Sequence, residues 1–466
     1  DGTNSIITLN NSSDLDLQGT NTITTLNDMG TVILYDSNSL DSSAVINMGS
    51  SSSNGALSFN SGFTFLSGTI TLNATDPYIN SFNDLGNTVQ IDSEITGTGK
   101  YNKSGSGIQI LTNTSNSYTG GTNIAGGTLS ISSLSQINDG TPSITMTEGT
   151  LVSTATSMTI NVPISIGTFG GLATTGSLTV LGTISADSAN LLIGSSQVNG
   201  ASGPVILTGG NNIGAVIIGA FASNNSYSAT LSVANMQQLG GIPNGLTLQG
   251  GGVFAPSSDL ELVNVSNGVP IYIGTGSGTF SLSGHTLTIP GDISTATVAQ
   301  GSPALNINGS GGTVVLSGDN TDFTGNLIVA DATINVATTI NLGSNSSLAQ
   351  MGLTNSTLQI TGDVDSSRGL SLSGSNTIDV ASSATFNGTI LAEEGSTLLK
   401  NGGGTLTILS GEAQSNTDYV LTISDGNVIG NTFSLGNATI EIASGSNLTF
   451  DQTLSGTFSG AISGDG

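Results

Sequence analysis

The chain of 466 residues has no cysteine and no tryptophan. Without cysteine there is no disulfide, no thiolate metal site and no cysteine nucleophile. Positive charge is nearly absent. Lys100, Lys103, Arg368 and Lys400 stand against 30 Asp and Glu, for a net charge of −26. Nucleic-acid binding needs a cationic footprint, so it is excluded on charge. An anionic membrane surface would repel the chain as well. His285 is the single histidine, so a Ser-His-Asp triad would have to use it, and no nucleophile elbow accompanies it. No apolar run approaches the ~20 residues of a membrane helix. Runs of Ala, Glu, Lys and Leu at helical spacing are missing too, and the abundant Thr, Asn, Ser and Gly are poor helix formers. Asp1 does not open a signal peptide, so the chain is expected to begin after processing or to be a fragment.

What is present is glycine, 67 residues of it, and many short alternations of Ile, Leu or Val with Thr, Ser or Asn. Alternation at period two is the signature of a strand with one buried face. The stretch from Lys103 to Ile131 holds two such alternations, Ile108-x-Ile110 and Leu129-x-Ile131, around the turn segment Ser115–Thr122. The rest of the chain repeats it. Gly312–Gly325 aligns without gaps on Gly107–Gly120, 205 positions earlier, with Phe323 at Tyr118. Gly127-Thr-Leu-Ser-Ile-Ser132 recurs as Ala229–Ala234, Ala332–Ala337 and Ala438–Ala443, at intervals of 102, 103 and 106 residues. A looser copy, Gly30–Leu34, precedes the first by 97. Leu134, Ile137, Ile144, Met146 and Leu151 likewise fall 102 positions before Met236, Leu239, Leu246, Leu248 and Val253. An interval near a hundred residues exceeds one supersecondary unit and fits a super-repeat of shorter solenoid turns. The pattern predicts Leu129, Ile131, Leu231, Val233, Ile334, Val336, Ile440 and Ile442 facing in. Ser130, Ser232, Asn335 and Glu441 are then expected to face solvent. At roughly 20–25 residues per turn the chain makes about 20 rungs, a rod on the order of 100 Å long at ~4.8 Å per rung. Tyr118 and Phe323 read as corner packing. The stretch 209–274 is the least regular, broken by Pro243, Pro256 and Pro270, and is the expected place for a loop or binding feature.

The order of motifs is Ile95-Thr-Gly97-Thr-Gly99, Lys103-Ser-Gly105-Ser-Gly107, Tyr118-Thr-Gly120-Gly121-Thr122 and Gly126-Gly127-Thr128-Leu129. It closely resembles the passenger-associated transport repeat of bacterial autotransporters. A partial copy runs through Phe386-Asn-Gly388-Thr-Ile390 and Lys400-Asn-Gly402-Gly403-Gly404, without the Tyr-Thr-Gly-Gly segment. The resemblance implies an all-β fold, a right-handed single-stranded parallel β-helix, over residues 1–466 as one continuous solenoid. It also implies display at a Gram-negative cell surface and an outer-membrane β-barrel translocator beyond the C-terminus. The chain stops at Phe458-Ser-Gly460-Ala-Ile462, a repeat start, so the protein is expected to continue past Gly466 as a longer passenger.

Candidate chemistry is sparse. Asp363 and Asp365 share a strand face, with Arg368 near enough in sequence to neutralise them, and read as a solvated pair rather than a calcium site or catalytic carboxylates. Glu393 and Glu394 would point to opposite faces of an extended strand, which argues against a shared acid–base role. His285 reads as a solvent-facing strand residue. The glycines around Gly97 and Gly105 are no phosphate fingerprint, because no helix follows them. No catalytic, cofactor or metal residue is therefore assigned, and no cofactor. The leading reading is a non-enzymatic, extracellular adhesive or structural rod. Its partners would be other copies of itself, neighbouring cells or a host receptor. A filament or surface-layer subunit and a secreted β-helix polysaccharide lyase or hydrolase are the alternatives.

Overall fold

Branched residues at every second position bury one face of a strand, and small polar residues turn the other to water. Stacked in parallel, such strands give inward columns of aliphatic side chains. The computed structural model describes residues 5–10, 13–18, 23–35, 43–60, 63–65, 68–75, 79–137, 143–198, 200–222, 225–264, 267–297, 303–388, 390–409, 418–453 and 455–466. Strands make up 53% and helix 4%, in a parallel β-solenoid of about 18 turns. No described helix is long and apolar enough to cross a membrane. Packing divides the chain into two compact units. The first holds Asp1–Ala222 with 227–231 and 237–242, and the second Pro243–Gly466 with 223–226 and 232–236. The division falls inside the stretch 209–274 that the prolines mark.

In the first unit one inward column climbs through Val32, Leu57, Phe82, Lys103, Ile124, Met146 and Ile166, each in parallel register with the next. Its members lie 20 to 25 residues apart, which is the length of one turn. In the second unit a column runs through Leu287, Val314, Ile334, Leu358, Ile378, Lys400, Ile423 and Ile442. Each buried aliphatic member contributes about 1.5–3 kcal/mol.

The predicted register holds for Leu129, Ile131, Leu231, Val233, Ile334, Val336 and Ile440, all at most 1% exposed. Ile442 is only half-buried. Glu441 is exposed, and Ser232 and Asn335 are partly so. Ser130 departs from the pattern: it points outward yet is 4% exposed. The reason is a strap. The segment after the strand Ile184–Ile193 folds back over the outer face of Thr128–Ile131 and Thr150–Ser153. There Val198 and Ala201 cover the outward Val152 and Ala173. Gln197 anchors it, donating to the Ser106 carbonyl at 2.6 Å and accepting from the Thr128 hydroxyl. The alternation Ile108-x-Ile110 also faces the other way. Both isoleucines are half-buried outside, while Gln109 is buried inside. Near Val253 the frame shifts by one: Val253 is half-exposed and Phe254 takes the core.

The hundred-residue interval has a structural basis. Asn116 accepts the Ile95 N–H (2.8 Å) from the rung before and donates to the Gln136 carbonyl (2.6 Å) in the rung after. Asn211 does the same between Ile184 and Gln238, and Asn320 between Ile293 and Asn341. In each case the upper partner lies in a 3₁₀ turn, Leu134–Ile137, Met236–Gln238 or Thr339–Leu342. One amide thus staples three rungs, and satisfies backbone groups that a corner would otherwise bury unpaired.

Some buried polar atoms lack such provision, and a carboxylate oxygen of Asp28 is among them. Asp28 is fully buried. Its Oδ1 accepts the Gly30 N–H at 3.0 Å, but its Oδ2 has no partner. Desolvation pushes its carboxyl up to about 7, against backbone hydrogen bonds from Gly30 and Ala56. A folded-state value above the unfolded 3.8 means the native state holds the extra proton. The stability this gives is complete below pH 4 and is lost as pH rises through about 7. Asp28→Asn removes the effect. The variant should match the wild type at pH 4 and exceed it at pH 8 by on the order of 3 kcal/mol, read from thermal midpoints at the two pH values. An equal difference at both would contradict the assignment.

Candidate functional site

The repeat segment carries a polar cluster inside the solenoid, not on it. The strand Tyr101–Ser104 presents Lys103 inward, at a column position that its neighbours fill with Phe82 and Ile124. Lys103 and Asp84 are both fully buried and form an ion pair. The ammonium also donates to the Ser104 carbonyl at 3.1 Å and the Gly105 carbonyl at 2.9 Å, so its three protons are used. Asp84 sits in the turn after Asn80–Asn83, where its Oδ1 accepts the N–H groups of Gly86 (3.0 Å) and Gly107 (2.7 Å). Gln109 closes the network. It donates to the Phe82 carbonyl at 2.7 Å, lies 3.4 Å from Asp84 Oδ2, and accepts the Tyr101 hydroxyl at 2.7 Å.

Aromatic rings wall off this cluster. Tyr101 stacks on Phe82 at 4.4 Å between ring centres, and Tyr118 lies 6.0 Å from Tyr101. Tyr118 is fully buried, with its hydroxyl 2.6 Å from that of Thr122. Burial raises both tyrosine hydroxyls well above their usual range. Burial also lowers the Lys103 amine, and Asp84 opposes that shift. The glycines follow from this packing. Gly127 has φ +58°, and a Cβ there would stand 2.6 Å from Lys103 Nζ and 2.4 Å from the Gly107 carbonyl oxygen. A Cβ on Gly105 (φ +85°) would meet Asp84 Oδ1 at 2.4 Å. Lys-x-Gly-x-Gly and Gly-Gly-Thr-Leu are therefore two sides of one cation site.

The partial copy keeps the device. Lys400 is fully buried between Ile378 and Ile423. Its ammonium donates to the carbonyls of Asn401 (2.9 Å), Gly402 (2.6 Å) and Asp425 (2.9 Å). Burial lowers this amine, and the charges of Asp425 and Asp379 oppose the shift.

Arg368 corrects the sequence reading. It does not neutralise Asp363 and Asp365. It is fully buried, 5.8 Å over the Phe323 ring, and donates to the carbonyls of Phe323 (3.2 Å), Gly325 (3.0 Å) and Gln350 (3.4 Å). Burial pushes its guanidinium down to about 10. Phe323, the counterpart of Tyr118, is thus a corner residue as expected, 2% exposed. Asp363 and Asp365 do share an exposed face of Asp363–Ser366, but their partners are neutral. Ser382 donates to Asp363 at 2.6 Å, and Asn387 to Asp365 at 2.7 Å. Glu393 and Glu394 are both exposed in the turn after Ile390–Ala392, rather than on opposite faces of a strand. His285 lies just before the strand Thr286–Ile289, with a side chain 35% exposed and its Nδ1 3.9 Å from Asp259 Oδ1. Among the described residues no group of three or more His, Asp or Glu is placed to hold a metal ion.

Three of the four cations are therefore interior, and only Lys100 is exposed. The signal in the sequence was Lys-x-Gly-x-Gly occurring twice in a chain with three lysines. Removing one partner of a buried pair leaves the other uncompensated, at ~3–5 kcal/mol. Lys103→Met should lower the unfolding midpoint sharply, and adding Asp84→Asn should recover part of the loss. Additive losses in this double-mutant cycle would show that the pair is not coupled.

Comparison with known proteins agrees with this geometry. Residues 102–131, which hold Lys103, Gln109, Tyr118 and Gly127, match the family Passenger-associated-transport-repeat. The chain is 28% identical over 315 residues, 64% of its length, to the Adhesin BmaC autotransporter of Brucella suis biovar 1 (strain 1330). It spans 8% of that protein's length. No solved structure matches. The chain is thus a parallel β-solenoid that carries a passenger-associated transport repeat at residues 102–131 and is similar over 64% of its length to an autotransporter adhesin.

Proposed function

We propose that this chain is an adhesive, non-enzymatic segment of a longer autotransporter passenger, held outside the cell ahead of an outer-membrane barrel. The observation that carries the reading is the similarity, over 64% of the chain, to a protein named as an adhesin. The residues support it in two ways. The strongest polar constellation, Lys103 with Asp84, Gln109 and Tyr101, is sealed in the core and serves the fold. The outer carboxylates of Asp363 and Asp365 are tied to Ser382 and Asn387 on an open sheet face rather than gathered in a cleft. Glycan cleavage would need an acid and a base set about a bound sugar. The partner of such a surface is a host or neighbouring cell, or another copy of the chain.

The test is display of residues 1–466, fused to an autotransporter barrel, on a non-adherent bacterium. Attachment to epithelial cells or clumping above a barrel-only control is expected. Surface exposure proven by antibody with neither effect would contradict the adhesive reading.

A further inference from the structure

The outer face of the second unit is not uniformly polar. On the strands Gln350–Thr354 and Gly369–Ser373 and their neighbours, one outward column reads Ile328, Gly352, Ser371, Leu391. Ile328 is 38% exposed and Leu391 47%. They stand three rungs apart, on the order of 14 Å, and the two residues between them are small. The result is a groove of about 440 Å³ with two aliphatic walls. A Cβ at Gly352 would touch only Ile328, at 3.9 Å, so the floor is open space rather than a packing necessity. At one side the groove meets Glu393, whose Oε2 accepts the Ser373 hydroxyl at 2.6 Å. That bond holds the carboxylate beside the trough, and Glu394 is exposed next to it.

Charge selects the occupant. The second unit has two cations within 243–466, Arg368 and Lys400, and both are buried. Its outer surface therefore offers carboxylates with no competing lysine or arginine. A long cationic side chain is apolar along its stem and charged at its tip, which is the shape of this groove: methylenes between Ile328 and Leu391, charge at Glu393. We propose that the groove receives lysine or arginine side chains of a basic polypeptide, the partner class that this passenger segment binds. The inference rests on the adhesive reading for its setting. A single exposed ion pair is worth little, so useful affinity requires several basic side chains at once, and salt weakens it.

The experiment titrates the purified chain into fluorescent octa-arginine, with octa-glutamate as the control, and reads anisotropy. Binding of octa-arginine alone is expected. Gly352→Val fills the floor without removing charge, and Glu393→Gln removes charge without filling the floor. Each should weaken binding about three- to fivefold, whereas Glu441→Gln, an exposed carboxylate outside the groove, should change it less than about 1.5-fold. Leu391→Ser, a surface change, gives the same readout should Gly352→Val fail to fold. The proposal is overturned if the wild type does not bind, or if the groove variants bind as tightly as the wild type. Equal weakening by all the carboxylate substitutions also overturns it, because attraction is then diffuse. The two readings separate cleanly. Cell attachment with no groove effect on peptide binding keeps the adhesin and removes the groove, and the reverse pattern keeps the groove and removes the adhesin.

Discussion

A buried ammonium or guanidinium must be given acceptors for its protons, because nothing else offsets the water it has lost. That requirement organises the repeat. Lys103 and Lys400 sit in columns otherwise made of apolar side chains, and each bends its tip to the carbonyls of the two residues that follow it. The rung that follows must then leave room for the ammonium at Gly127, and the corners beside the lysines carry positive φ at Gly105 and Gly402. Asp84, Gln109 and Tyr101 extend the same polar thread across neighbouring rungs. Arg368 meets the requirement only in part: its two terminal nitrogens reach the carbonyls of Phe323, Gly325 and Gln350 and its guanidinium lies over an aromatic ring, while its buried Nε has no hydrogen-bond partner. In a solenoid each rung touches only its neighbours, so these cross-rung bonds, with the asparagine staples at Asn116, Asn211 and Asn320, set which turn lies on which.

The all-β fold and the parallel stacking were legible in the sequence. Alternation marks strands, and the recurrence of Leu129–Ile131 at Leu231, Ile334 and Ile440 marks which of their side chains turn inward. Alternation failed wherever the core is not apolar. Gln109 lies inside and Ile108 and Ile110 outside, because the interior at that level is a hydrogen-bonded network and the exterior is half-covered. Ser130 was hidden by the strap anchored at Gln197, a contact between residues 91 apart in sequence that no local pattern encodes. Arg368 was misplaced for a related reason. Closeness to Asp363 and Asp365 in sequence suggested a surface ion pair, yet a rung's corner turned the side chain inward. The glycine spacing was read correctly as turns, but that the turns enclose a cation follows only from three dimensions.

Burying the cations also shapes the exterior. With Lys103, Arg368 and Lys400 inside, the carboxylates outside have almost no intramolecular counter-charge, and the surface keeps other anionic surfaces away. Parallel strand edges that would template pairing are thereby given like-charged neighbours, a recognised way of discouraging aggregation. The few exposed apolar side chains, Ile328 and Leu391 among them, then stand out against a polar and anionic background.

The repeat's lysines are structural parts of the core, and amine labelling of the native protein tests this directly. Treatment with an acetylating reagent, followed by peptide mass spectrometry, should modify Lys100 and leave Lys103 and Lys400 untouched until denaturant is added. Modification of Lys103 and Lys400 at the rate of Lys100 in the folded protein would contradict the account.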